Sequence, residues 1–185
     1  MLPDLIARRD RAADRHDEAK RRDPTQTSPQ FAAEARAVME ELDAICRAAD
    51  PGVSDPAELA KAYRWLGDAW FDVAHGHDRA ALLRGVTAYR RAEALIAGTD
   101  APVEAAKLAF NYANTLRALA AGNPTLLQAA MRRYRTAAGV FRGHGLADLV
   151  ARAETQLAIL EPQIGLARGF AQQGVRTVSV HHFAR

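Results

Sequence analysis

A single cysteine, Cys46, in a chain of 185 residues excludes an internal disulfide and a metal cage built from cysteines. Cys46 lies inside an apolar helical pattern with no histidine placed locally to activate it, so nucleophilic chemistry has no evident origin. No Gly-rich phosphate loop, zinc-helix signature or nucleophile elbow is present. The expectation is a protein that is not an enzyme and needs no cofactor. Histidines come as His75-Gly76-His77 and His181-His182, but without a nearby cysteine or carboxylate triad, and adjacent histidines rarely close a site around one ion, so no metal is expected. No apolar run approaches the length that crosses a bilayer. The N-terminus sets Arg8 and Arg9 after a very short apolar patch, the reverse of a secretory signal. The expected setting is therefore cytoplasmic, with no membrane partner.

What the chain has in quantity is alanine and leucine, in periodic runs separated by glycine and proline, with aromatics scarce. That texture reads as all-α, and the length suits one domain with a real core. Charge is unevenly spread. Residues 1–104 carry 15 Lys or Arg against 19 Asp or Glu, and residues 105–185 carry 10 against 3. The two parts are thus about −4 and +7. A one-sided basic surface favours acidic partners, whereas arginine that merely solubilises Ala-rich helices would look the same.

Residues 4–22 interleave Arg8, Arg9, Arg11, Arg15, Lys20, Arg21 and Arg22 with Asp4, Asp10, Asp14, Asp17 and Glu18, and Asp23 follows, a mixture that supports a solvated helix through pairs three and four apart. The apolar face there is thin, so the helix is expected to fray or to order only against a partner. Ser28-Pro29 starts a helix to about Ala48, and Asp55-Pro56 starts another to about Ala74. Asp78 caps a run over 79–97 that stops at Gly98. Pro102 opens the next helix, Gly122-Asn123-Pro124 stops it and begins another, and Gly143-His144-Gly145 precedes a helix over 146–160. Pro162 is expected to begin a short further helix to about Gln173. Val175 through Phe183 alternates apolar and polar residues with β-branched enrichment, which is either a disordered tail or an extended segment that docks in a groove or adds to a partner's sheet.

The stretch Tyr63-Arg64-Trp65-Leu66-Gly67-Asp68-Ala69-Trp70 returns, more faintly, at Ala109–Leu116 and Val150–Leu157. Lys61 aligns with Lys107, Gly67 with Ala113, Trp70 with Leu116, Tyr89 with Tyr134 and Ala92 with Ala137, a period of 45 to 46 residues. A small residue lets two helices approach and aromatics fill the space beside it. These residues resemble the tetratricopeptide repeat, with Tyr63, Leu66, Gly67 and Trp70 in the first helix and Gly85, Tyr89 and Ala92 in the second. The long period, with Asn111 through Leu116, Gly122 and Tyr134, looks like the repeats of bacterial proteins that also carry a CHAT protease domain; no such domain is present and protease activity is not carried over. The resemblance implies a right-handed α-solenoid of antiparallel hairpins with about 7–8 helices and an extended C-terminal tail. Its divisions are a charged helix and linker over 1–27, the repeat domain over 28–173 and the tail over 174–185.

The resemblance further implies an adaptor or scaffold that takes a protein or peptide segment, acidic ones included, on the concave face formed by the first helices of the pairs. Family members that grip a C-terminal carboxylate use basic residues and asparagines there; Arg64, Asn111 and Arg152 fall on matching positions, while Asp68 and Asp148 replace an asparagine and a lysine. The groove set is Arg64, Asp68, Lys107, Asn111, Asn114 and Arg152. Guanidinium groups hold carboxylates by paired hydrogen bonds, and asparagine can donate and accept toward an extended backbone. Two aspartates would favour a partner that brings a cation of its own. The alternatives are a basic nucleic-acid-associated module, from Arg90, Arg91, Arg132, Arg133, Arg135 and Arg142 on the second helices, and a structural homo-oligomer subunit. Nucleic acid is the weaker reading, because Tyr89, Tyr134 and Phe141 are better used in the core.

Overall fold

The computed structural model describes residues 3–49, 55–74 and 77–172, with side chains through residue 167. Among the described residues the chain is all-helical and has no strand: α1 (Pro3–Arg22), α2 (Pro29–Ala48), α3 (Pro56–Val73), α4 (Arg79–Ile96), α5 (Pro102–Ala120), α6 (Pro124–Gly143) and α7 (Ala147–Gln172). Consecutive helices pack on one another, and α1 touches α3 as α3 touches α5, so the chain is an α-solenoid of successive hairpins. The expected strand-like segment at 175–183 and the tail 174–185 lie outside the described residues, as do His75, Gly76, His181 and His182.

Helix starts follow cap chemistry. Ser28 accepts from the Phe31 amide at 3.1 Å, Asp55 from Ala57 at 2.8 Å, Asp78 from Ala80 at 2.8 Å and Asn123 from Thr125 at 2.9 Å. Proline occupies the first turn of α2, α3, α5 and α6, where its missing N–H costs nothing.

Two local expectations change. Pro162 does not begin a new helix, because α7 runs through it from Ala147 to Gln172. Leu160 and Ile164, on either side of the proline and one turn apart, are both buried in the same core, and their packing holds the helix across the lost hydrogen bond. The charged helix α1 is ordered against its own chain rather than left to fray. Its apolar residues Leu5, Ala12, Ala13 and Ala19 are buried, and two polar residues, Arg9 and His16, complete the buried face. Arg9 Nη1 donates to the Glu58 carboxylate at 2.6 Å and to its backbone carbonyl at 3.0 Å, which ties α1 to the start of α3. Burial works against the Arg9 charge, but Glu58 and Asp10 outweigh it and hold the guanidinium above its usual value.

The main core runs from α3 to α7 around Tyr89, Tyr134 and Phe141, and a second one joins α1, α2 and α3 through Ala12, Leu42, Cys46, Ala62 and Leu66. Cys46 packs there as a small apolar residue, and burial, with the Asp43 charge second, pushes its thiol up to about 12. At Gly67 the Tyr89 ring of α4 lies directly against α3. A Cβ at that position would lie 2.6 Å from Tyr89 Cε1, so the Tyr89 ring can lie over α3 only because residue 67 has no side chain. Leu66 and Gly67 are buried and Tyr63 and Trp70 half-buried, so the opening motif is a packing face.

Candidate functional site

Because Tyr89 lies over Gly67, its hydroxyl reaches the next residue of α3 and donates to Asp68 Oδ1 at 2.6 Å. Asp68 Oδ2 accepts from Arg64 Nη1 at 3.2 Å, one turn earlier on α3, and from Asn111 Nδ2 of α5 at 3.0 Å. Burial pushes the Asp68 carboxyl up, against the pull of the Arg64 charge, Lys20 and the tyrosine hydrogen bond. Burial, followed by the neighbouring Asp68 charge, pushes the Tyr89 phenol well above its ordinary value, which keeps it a donor. Arg64 also lies 3.6 Å from Glu104 Oε2 and stacks over the Trp65 ring at 4.6 Å. Lys107 Nζ holds the other Glu104 oxygen at 2.7 Å. Burial would raise Glu104, but the Lys107 hydrogen bond and the Arg64 charge outweigh it and leave the carboxyl below its ordinary range.

These groups wall a cavity of about 510 Å³ on the face formed by α1, α3, α5 and α7. All six residues nominated from the sequence, Arg64, Asp68, Lys107, Asn111, Asn114 and Arg152, line it. Asp148, by contrast, is exposed in the first turn of α7 and does not line it. Asn114 accepts from the Tyr134 hydroxyl at 2.5 Å, the counterpart of the Tyr89–Asp68 bond one repeat earlier. Burial pushes the Tyr134 phenol up to about 12. The Arg152 guanidinium sits 5.4 Å from the Phe110 ring centroid and has no acidic partner among the described residues.

Sequence reasoning missed the near end of this cavity, which α1 supplies. Asp17, Lys20, Trp65, Phe71 and Asp72 line it, and His16 lies fully buried behind Asp72. His16 Nε2 and Lys20 Nζ approach Asp72 Oδ2 to 2.6 and 2.8 Å, although neither contact has hydrogen-bond geometry. Burial would raise the Asp72 carboxyl, yet His16 and Lys20 outweigh it and hold it below its usual range. The sequence carries only spacing, His16 and Lys20 one turn apart on α1 and Asp68 and Asp72 one turn apart on α3, and spacing alone does not say that these faces meet.

Three of the six arginines of the opposite, basic set are ion-paired. Arg133 meets Glu93 through both guanidinium nitrogens and stacks 4.0 Å from the Tyr112 ring centroid; Arg142 reaches Glu154 at 2.7 Å and Arg135 reaches Glu161 at 3.4 Å. Arg90 donates to the Tyr112 hydroxyl at 3.3 Å. Arg132 and Arg133 border a second cavity, of about 520 Å³, whose floor includes Ile96, Leu108 and Ala129.

Among the described residues no three His, Cys, Asp or Glu side chains gather as a metal site would require, and no helix is long and apolar enough to cross a membrane. Comparison of the chain with protein-family models, with curated proteins and with solved structures gave no match.

Proposed function

We propose that the protein is a non-catalytic adaptor of the tetratricopeptide-like kind, which takes a protein or peptide segment into the cavity between α1, α3, α5 and α7. The supporting observation is convergence: six residues drawn from three helices and separated by up to 88 positions of sequence border one cavity of about 510 Å³. Its polar groups are arranged for a backbone and a carboxylate rather than for a reaction. Asn111 gives its amide nitrogen to Asp68, which leaves its oxygen to accept from a peptide N–H. Asn114 gives its oxygen to Tyr134, which leaves its amide nitrogen to donate. The two lie one turn apart on α5, and Arg152 beyond them is free to hold an anionic end by paired hydrogen bonds. The thiol of Cys46 is buried away from the cavity.

The test is selection from a random peptide library displayed with free C-termini, by the wild-type chain and by Arg152→Glu. The wild type should enrich a family of related ends, and Arg152→Glu, whose side chain has no ion pair to lose, should fail to enrich them while melting at the same temperature. Enrichment of nothing by the wild type, or of the same ends by both, overturns the proposal.

A further inference from the structure

The charges that line the cavity do not cancel at random. Asp68 is occupied by Arg64, Tyr89 and Asn111, Asp72 by Lys20 and the approach of His16, and Glu104 by Lys107 and Arg64. Two lining charges remain without an ion pair among the described residues. One is Asp17 on α1 and the other is Arg152 on α7, the first and last helices of the lining. A cavity with its middle neutralised and one unmatched charge of each sign, on its first and last helices, is complementary to a ligand with two opposite charges held apart. The wall beside Asp17 reinforces the sign. Phe71 also lines the cavity, and an aromatic ring suits a cation, while Trp65 already carries Arg64 and Asp72 already has Lys20 and His16 against it. The cations of this wall are already engaged, Lys20 by Asp72 and Arg64 by Asp68.

Resting on the peptide-binding reading above, we infer that the occupant is a short peptide end of fixed polarity, with its carboxylate at Arg152 and Asn114 and a lysine or arginine side chain a few residues upstream at Asp17. Asp17 is then the residue that selects the sequence, because Asn111 and Asn114 read only backbone. A cavity of about 510 Å³ suits a few residues rather than a long extended segment. This also gives α1 a purpose beyond packing: it closes the near end of the groove and supplies the only selective charge there.

The experiment titrates the full chain by calorimetry with four probes: acetyl-Lys-Ala-Ala with a free carboxylate, the same peptide amidated, and the free-carboxylate forms with norleucine or glutamate in place of lysine. Wild type should bind the lysine acid about fivefold more tightly than the norleucine acid and more tightly still than the glutamate acid, as expected for one partly desolvated charge pair. Asp17→Asn should erase the lysine preference without weakening the norleucine acid, and Asp17→Lys should reverse the order of lysine and glutamate. Acids that bind alike whatever the upstream residue, or an order unchanged by Asp17→Lys, overturn this inference and leave the peptide-binding reading standing. Acid and amide forms that bind alike, or no binding by any of the four, overturn both.

Discussion

The α3–α4 and α5–α6 hairpins share one plan and put different groups on it. In each, a fully buried tyrosine of the second helix reaches back to a polar residue of the first: Tyr89 to Asp68, and Tyr134 to Asn114. Each tyrosine ring also meets an aromatic of α5, Tyr89 stacking on Tyr112 and Tyr134 meeting Phe110 edge-on, both at 5.4 Å between centroids. In α3–α4 the acceptor is a carboxylate neutralised by Arg64, and Gly67 stands beside it. In α5–α6 the acceptor is a neutral amide, Phe110 takes the place of Arg64, and Ala113 that of Gly67. The packing scaffold therefore tolerates either chemistry. The difference lies on the cavity side, where α3 spends its charge internally and α5 keeps a free donor.

The largest consequence concerns that charge. Asp68→Ala leaves Arg64, 9 % exposed, without its nearest counter-ion and should cost about 3–5 kcal/mol in urea unfolding, whereas Asn114→Ala should cost about 1 kcal/mol. The paired variant Arg64→Met/Asp68→Leu should recover most of the loss, because a buried ion pair replaced by apolar side chains is close to neutral. Equal costs for the two single variants would erase the distinction between the hairpins.

Removing the hydroxyls separates the hairpins less widely. Tyr89→Phe deprives a buried carboxylate of a 2.6 Å donor and should cost about 1.5–3 kcal/mol; Tyr134→Phe deprives a neutral amide and should cost about 0.5–1.5 kcal/mol. Backbone approach comes next. Gly67→Ala forces a methyl into the Tyr89 ring, which is held by Tyr112 and Asp68, and should cost about 1–3 kcal/mol. Ala113→Gly, the converse change in the other hairpin, should cost about 1 kcal/mol, chiefly helix propensity.

The repeat was legible because packing writes it twice: Gly67 with Tyr89 and Ala113 with Tyr134 recur at one period, and caps such as Asp55, Asp78 and Asn123 mark the boundaries directly. The cavity residues on α3, α5 and α7 could be read for the same reason, since a helix of known packing face fixes where its other residues point. α1 was not legible. Its buried face is completed by Arg9 and His16, and a charged residue in a charge-dense helix carries no mark that says it is the one turned inward. Pro162 misled in the opposite way, since a local breaker was overruled by Leu160 and Ile164 packing on both sides of it.

The smallest effect separates the two halves by acid. The seams of α3 with α1 and α5 rest on carboxylates that cationic partners hold below their ordinary values: Glu58 by Lys61 and Arg9, Asp72 by His16 and Lys20, and Glu104 by Lys107 and Arg64, each against the opposing effect of burial. A carboxyl lowered in the folded state contributes stability that is complete above its ordinary value and is lost as pH falls through the lowered one. Asp68, raised by burial, runs the other way and offsets part of the loss. The packing of α7 on α6 instead buries Phe141, Ala153, Leu160 and Ile164, which do not titrate, and its two ion pairs, Arg142–Glu154 and Arg135–Glu161, are solvent-exposed and contribute little. Below about pH 4 the α1–α3 and α3–α5 seams should thus loosen before the α6–α7 contact does. Both tryptophans, Trp65 and Trp70, lie on α3, so their fluorescence follows the first event, while hydrogen exchange at α6 amides follows the second. Fluorescence should change at higher pH than exchange at α6, and Asp72→Asn should weaken the pH dependence of the fluorescence step. A single coincident transition, unchanged in Asp72→Asn, would mean that the two halves are held by the same forces after all.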